Sequence, residues 1–421
     1  MKKLFDFNCL HLPISSLSQR LLFEIVASFR MFPWLRRGCA ALFLIALAGW
    51  SIFSGAAFAC PFCTAVKPSL SERCDESAIA ALAELLDAKP GGHRFRLQKT
   101  LKGDELLSNN ASLELPQDVV AEPAPGSALK PGSLMLLLAR RDAFSDDRRL
   151  HWSETPLDEL SYAYVARAPS LRKPAAERLP YFIPFLEHRN PLLAEDAYRE
   201  FGRARFDEVA AVADKLPMDS FRGWLESDRV PQERKGFYGL ALGLARDPAE
   251  RRRNAEFLKR QIDQPASDFR AGFDGVLGGY LLAAGEPGLE LIEERYLAAP
   301  LAASGDVRHA MTALRFYHEY GREIPAEQLA RAMRRLLARE EFAAEAIVDL
   351  ARWQDWESTA AVVELCRRLE SKDAPIRRAA IGFLLLSPTK EADQETARLR
   401  QQYPSEVAEV ERRLSKPLGG R

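Results

Sequence analysis

The chain has 421 residues, 47% of them hydrophobic, and its 59 lysines and arginines are balanced by 59 aspartates and glutamates. A formal net charge of zero disfavours nucleic acid or an anionic membrane surface as the main partner. The length and the apolar content allow one or two sizeable cores, and the length suggests two or three domains.

The N-terminal region has the pattern of an export signal. An apolar run over residues 39–50 follows Arg36-Arg37, and small residues in Ala57-Phe58-Ala59 form a cleavage site directly before Cys60. We expect translation to start at Met31, the mature chain to begin at Cys60, and the protein to be exported to an oxidising compartment, either periplasmic or extracellular.

Two other interpretations of this region stay open. Residues 39–58 are close to the length that spans a bilayer, so an uncleaved N-terminal membrane anchor is the main alternative. A lipoprotein with an acylated Cys60 fits less well, because Ala57 and Phe58 replace the Leu-like and small residues that such a site uses.

Five short apolar or alternating runs follow the signal, and turn residues such as Gly-Gly, Asn-Asn and Pro-Gly separate them. The runs cover residues 78–86, 94–101, 112–115, 133–139 and 162–165. Short strands at this spacing favour a small all-β barrel.

Two of these segments carry a family resemblance. Residues 95–103 (FRLQKTLKG) and 129–137 (LKPGSLMLL), after a cysteine-rich terminus, resemble the netrin-like OB module of the tissue inhibitors of metalloproteinases. The resemblance implies an OB-like barrel over residues 60–168. In that family a Cys-x-Cys start binds a protease zinc; this chain has Cys60-x-x-Cys63, so we carry over the fold and not the inhibitory activity.

From about residue 170 the pattern becomes helical, with apolar residues recurring at three and four positions. Asn190 and Pro191 are a cap and a first helical residue. Further amphipathic stretches cover residues 233–244, 255–262, 269–284, 307–320, 326–337, 343–353, 360–369 and 376–386, and a single charged helix is expected over 390–414. Paired helices of this kind resemble HEAT-like α-solenoids.

These patterns predict a multi-domain protein. Residues 1–59 hold the extension and the signal or anchor, residues 60–168 a small all-β OB-like domain, and residues 169–421 an all-α HEAT-like solenoid.

The cysteines are the candidate chemical groups. Cys60, Cys63 and Cys74 are predicted disulfide residues, with Cys63 to Cys74 as the favoured pair, and Cys366 is expected to be a buried thiol on a helix. Cys60-Pro61-Phe62-Cys63 also has the spacing of a thiol-disulfide exchange pair. A zinc site would need His93 as a fourth ligand.

No sequence signature of common hydrolases, nucleotide-binding proteins or metalloproteases occurs. We therefore predict an exported, non-enzymatic protein-interaction or scaffold protein with an unidentified protein partner, and we predict no catalytic residue, metal or cofactor. The alternative is an exported thiol-disulfide or metal-handling protein that uses Cys60 and Cys63.

Overall fold

The computed structural model describes residues 67–415, apart from residues 90, 108–111, 117–128, 142–149, 266–269 and 370–372. A short helix, α1 (Leu70–Glu76), precedes five strands. The strands are β1 (Ile79–Lys89), β2 (Gly92–Lys102), β3 (Ser112–Pro116), β4 (Leu134–Arg141) and β5 (Leu150–Leu157).

The strands form one antiparallel sheet in the order β3-β2-β1-β4-β5. Four of the predicted strands are confirmed, as β1 to β4. Pro131 and Gly132 make the turn before β4, where Gly132 has a φ of 89°, a value that favours glycine.

The fifth predicted strand is wrong. Residues 162–165 lie in the helix α2 (Glu159–Arg167), because Asp158 caps its first turn by accepting a hydrogen bond from Ser161 N at 2.7 Å. The fifth strand is instead β5, which pairs with β4 from Leu157 to Leu150. Its sequence, LHWSETPL, is too polar to stand out as an apolar run.

Both faces of the sheet are covered. Leu82 and Leu136 belong to the large hydrophobic cluster that includes the helices, whereas Leu85, Phe95 and Leu137 belong to a second cluster on the opposite face. Because neighbouring residues of a strand point to opposite faces, the near-continuous apolar sequences of β1 and β4 follow from this double burial.

The rest of the described chain is helical. The next helices are α3 (Ala175–Phe182), α4 (Pro191–Arg203), α5 (Phe206–Ala211), α6 (Met218–Glu226), α7 (Gln232–Leu242), α8 (Pro248–Asp263), α9 (Phe273–Ala284) and α10 (Glu286–Ile292). They are followed by α11 (Ser304–Tyr320), α12 (Ala326–Arg334), α13 (Glu340–Arg352), α14 (Thr359–Leu369), α15 (Ala374–Leu386), α16 (Lys390–Gln402) and α17 (Pro404–Leu414).

Most of the predicted helices are present, with ends shifted by a few residues. The predicted cap is confirmed, since Leu192 N donates to Asn190 Oδ1 at 2.9 Å and Pro191 begins α4. The single helix expected over residues 390–414 is wrong, because Pro404 lacks an amide hydrogen and keeps Tyr403 out of helical geometry, at φ −131° and ψ 55°.

The helices stack in sequence order. The helix α9 packs on α7 and on α11, and α15 packs on α13 and on α17, so within each of these two sets alternate helices are neighbours. One hydrophobic cluster continues from the sheet into these helices, across the boundary predicted at residues 168 and 169. The coarse prediction, a strand-rich part followed by a helical part, is confirmed, and the division into domains stays a prediction.

Candidate functional site

The only predicted cysteine site residue within the described ranges is Cys74, on the second turn of α1. Ser69 caps this helix: its Oγ accepts from Glu72 N at 3.2 Å, and Glu72 Oε2 accepts from Ser69 N at 3.0 Å. This reciprocal capping fixes the start of a helix that is too short to be stable alone.

A buried carboxylate fastens α1 to the helical part. Leu70 N donates to Asp196 Oδ1 at 2.6 Å, and Tyr164 Oη donates to Asp196 Oδ2 at 2.7 Å. Two other residues of α4 add to this joint, since Arg199 donates to the carbonyl oxygen of Pro68 at 3.5 Å and Arg203 pairs with Glu72. Burial raises the pKa of Asp196 to about 6, although both hydrogen bonds oppose that shift.

A cavity of about 610 Å³ opens beside this joint. Cys74, Tyr164 and Asp196 line it, together with Lys102 and Arg172 at the exposed side. Its volume lies within the range of small-molecule sites. The two oxygens of Asp196 are already hydrogen-bonded within the protein, so the carboxylate acts first as a structural anchor.

The thiol of Cys74 is poorly suited to nucleophilic chemistry. Burial raises its pKa to about 12, and the nearby Arg73 only partly opposes this shift. Because the thiolate is the reactive form, a thiol with this pKa is almost entirely unreactive at neutral pH. We therefore do not expect Cys74 to supply the activated thiolate of an exchange reaction.

The predicted disulfides lie largely outside the described residues. Cys74 is a free cysteine, and no disulfide is present among the residues that the structure describes, whereas Cys60 and Cys63 fall outside those residues. The pairing of Cys63 with Cys74 stays a prediction. Cys366 is fully buried in α14, as expected.

His93, the fourth ligand that a zinc site would need, instead contacts a buried glutamate. Its Nδ1 lies 3.1 Å from Glu154 Oε2, and the Glu154 side chain is 2% exposed. Burial raises the pKa of the Glu154 carboxyl. In the described part of the chain, no three His, Cys, Asp or Glu side chains are grouped so that they could hold a metal ion.

The short distance between His93 and Glu154 also shows that the sheet is curved. His93 lies in β2 and Glu154 in β5, with β1 and β4 between them. Strands with this separation would lie about 14 Å apart in a flat sheet. A side-chain contact at 3.1 Å therefore requires the sheet to curl towards the face that carries Phe95.

A second candidate site lies on the last helices. A groove of about 480 Å³ runs between α13, α15 and α17. Its apolar lining is formed by Ala344, Val348, Ala379, Val410 and Leu414. Val348 is 38% exposed and Leu414 is 45% exposed, and exposed apolar side chains that share a groove are a common mark of an interaction site.

Four arginines and three carboxylates border this groove: Arg315, Arg352, Arg378 and Arg413, with Glu345, Asp349 and Glu409. We call this set the arginine rim.

The carboxylates of the arginine rim are already engaged within the protein. Arg315 lies 2.7 Å from the buried Asp349 and 3.5 Å from Glu345, and Arg413 pairs with Glu409. Arg315 and Arg413 are engaged by the same pairs, so Arg352 and Arg378 are the rim groups that can bind a ligand.

Sequence reasoning missed an internal repeat in the helical part. The pattern Arg-x-Gly-Phe-x-Gly-x-x-x-Gly occurs at residues 234–243 and again at 270–279, thirty-six residues later. The first segment lies largely in α7 and the second largely in α9, and these two helices are in contact. Comparing the chain with itself at a fixed offset would have found this signal.

The repeated residues have repeated roles. Arg234 lies 2.6 Å from Glu195 and 3.0 Å from Glu187, and Arg270 lies 2.8 Å from Asp306, so each arginine joins its helix to neighbouring elements. The glycines let the two helix backbones touch: a Cβ on Gly275 would lie 2.0 Å from a backbone oxygen of α7.

No helix among the described residues is both long and apolar enough to cross a bilayer, and the predicted anchor over residues 39–58 lies outside those residues. Comparison with known proteins gave no relationship: no protein-family model matches the chain, and no curated protein is significantly similar to it.

Proposed function

We propose that this chain is an exported, non-enzymatic scaffold protein that binds another protein through its helical part. The observation that carries the proposal is the groove between α13, α15 and α17, where exposed Val348 and Leu414 lie inside the arginine rim. Export is supported by the signal-like pattern before Cys60.

The helical part is proposed to be a HEAT-like solenoid. Support comes from the stacking of alternate helices, from the thirty-six-residue repeat, and from the arginine pairs that join each repeated segment to neighbouring elements. In such arrays each unit buries its apolar face on its neighbours, and the resulting extended surface serves binding.

The sheet is proposed to be an OB-like barrel. The curl required by the His93–Glu154 contact and the second hydrophobic cluster inside that curl support this interpretation. The order β3-β2-β1-β4-β5 leaves β3 and β5 at the two edges of the described sheet.

The test of the scaffold function uses the full chain, tagged at its C-terminus, to retain proteins from the exported fraction. A retained protein should then bind the purified chain directly, with a fixed stoichiometry, and a Cys60→Ser, Cys63→Ser variant should bind equally well. The proposal is wrong if no direct partner is found, or if Cys60→Ser abolishes a thiol-disulfide exchange activity while the protein stays folded.

A further inference from the structure

We infer that the groove between α13, α15 and α17 accepts an amphipathic helix of a partner protein, with acidic residues beside its apolar stripe. This inference rests on the proposed scaffold function and specifies the chemistry of the partner at one site. It combines two independent properties of the groove, an apolar lining and an arginine rim.

The apolar lining matches the side chains of one helix stripe. Val348 and Leu414 line the groove from α13 and α17, together with Ala344, Ala379 and Val410. A volume of about 480 Å³ holds a few large aliphatic side chains. Side chains that are three and four residues apart on a partner helix line up in one row and can enter such a groove together.

Two arginines of the rim can still bind carboxylates, and this predicts a negatively charged partner. The Arg352 side chain is 72% exposed, and within the described residues its closest carboxylate, Asp349, lies at 3.9 Å. The exposed Arg378 donates to the carbonyl oxygen of Ala374 in its own helix at 3.3 Å. Both guanidinium groups can therefore take up carboxylates from outside, as arginine does in bidentate pairs.

Charge also favours an acidic partner helix over two other occupants of the groove, the last residues of this chain and a second copy of the chain. The last residues of the chain, 416–421 (KPLGGR), follow α17 but carry two positive charges and no carboxylate side chain. A second copy that used the same face would bring its own arginine rim against this one. An acidic helix is the occupant that the rim attracts.

The experiment selects binders without assuming their sequence. A phage-displayed library of random peptides of about 16 residues, long enough for several helical turns, is panned against the full chain. The same library is panned in parallel against a triple variant, the groove variant, which carries Val348→Ser, Arg352→Glu and Arg378→Glu. The matched control carries Leu301→Ser, Arg229→Glu and Arg252→Glu, which change exposed residues of the same types outside the groove.

We expect the wild-type chain and the control to enrich the same peptides at least tenfold over the groove variant. Those peptides should carry apolar residues three and four apart, with aspartate or glutamate beside them. A synthetic copy should bind at least tenfold more weakly when its acidic residues are changed to lysine, and more weakly at high salt.

Several results would overturn the inference. They are enrichment of neutral or basic peptides, equal enrichment by the groove variant, or no enrichment at all. A wild-type dimer that Val348→Ser dissociates would assign the groove to a second copy. Stronger peptide binding after deletion of residues 416–421 would assign it to the chain's own end. None of these results bears on the exported-fraction experiment, so the scaffold function is tested separately.

Discussion

Asp196 of α4 accepts a hydrogen bond from Leu70 N of α1, and its side chain is almost fully buried. Its pKa of about 6, raised mainly by burial, means that the folded protein holds this proton more tightly than the unfolded chain, where the value is 3.8. The stability that this group contributes is therefore complete below about pH 4 and is lost as the pH rises through about 6.

We predict that Asp196→Asn removes this pH dependence. Relative to the variant, the wild-type chain should lose roughly 2–3 kcal/mol of unfolding free energy between pH 4 and pH 7. Asparagine keeps an acceptor for Leu70 N and can donate to Tyr164 Oη, so the joint is retained. Urea unfolding across this pH range measures the difference.

The control for this prediction is Asp228→Asn, which changes an exposed carboxylate in the loop after α6. Its stability profile should run parallel to that of the wild-type chain. If Asp196→Asn also ran parallel, the Asp196 carboxyl would have the same pKa in the folded and unfolded chains, and its burial would not raise that pKa.

The thiol of Cys74 gives a second prediction at this scale. In a Cys60→Ser, Cys63→Ser variant, alkylation of Cys74 at pH 8 should be roughly a thousandfold slower in the folded protein than in urea, because burial raises its pKa by about three units. Peptide-resolved mass spectrometry after timed exposure to iodoacetamide measures the two rates. Rates within tenfold of each other would mean that burial neither raises the pKa of the Cys74 thiol nor protects it from the reagent.

At the scale of the elements, the contact between α7 and α9 depends on glycine. A Cβ on Gly279 would lie 2.0 Å from the carbonyl oxygen of Gly239, which belongs to a backbone and cannot move aside as a side chain would. We predict that Gly279→Ala lowers the unfolding free energy by about 1–3 kcal/mol or more, despite the higher helix propensity of alanine.

The matched variant for this prediction is Gly223→Ala in α6, where no atom lies within 4 Å of an added Cβ. There the change should be neutral, or should stabilise the protein by up to about 1 kcal/mol. Urea unfolding measures both variants. A similar effect at the two positions would show that α7 and α9 separate at little cost.

The elements also show what sequence patterns can predict. The strands β1 to β4 and most helices were predictable because their apolar residues recur with a clear period. The strand β5 was not, because it exposes His151 and Pro156 and pairs through its backbone. The α2 error has a local cause, since an Asp158 cap turns a short apolar run into a helix.

At the scale of the whole molecule, the sites depend on contacts between distant residues. Cys74 was predicted from its residue type, but its surroundings were not, since Asp196 lies more than a hundred residues away in the sequence. The groove likewise combines α13, α15 and α17, and no local pattern indicates which helix faces meet. The glycine repeat was visible in the sequence, and it could have predicted the close contact between α7 and α9.

Export gives the prediction at this scale. The small residues Ala57 and Ala59 should direct cleavage so that the exported chain begins at Cys60. N-terminal sequencing of the exported protein tests this. In an Ala57→Arg, Ala59→Arg variant, cleavage should fail and the signal segment should stay attached to the chain. Residues before Ser51 on the exported wild-type protein would instead favour the retained anchor.

The joint between α1 and α4 determines how the molecule would carry a mechanical load. Asp196, Arg199 and Arg203 hold the first described helix directly on the helical part. Tension applied to the chain before residue 67 therefore reaches α4 through these bonds, and the strands of the sheet do not have to separate first. A molecule held at its N-terminus would transmit force into its stacked helices, and the hydrogen bond from Leu70 N to Asp196 Oδ1 would be among the first under strain.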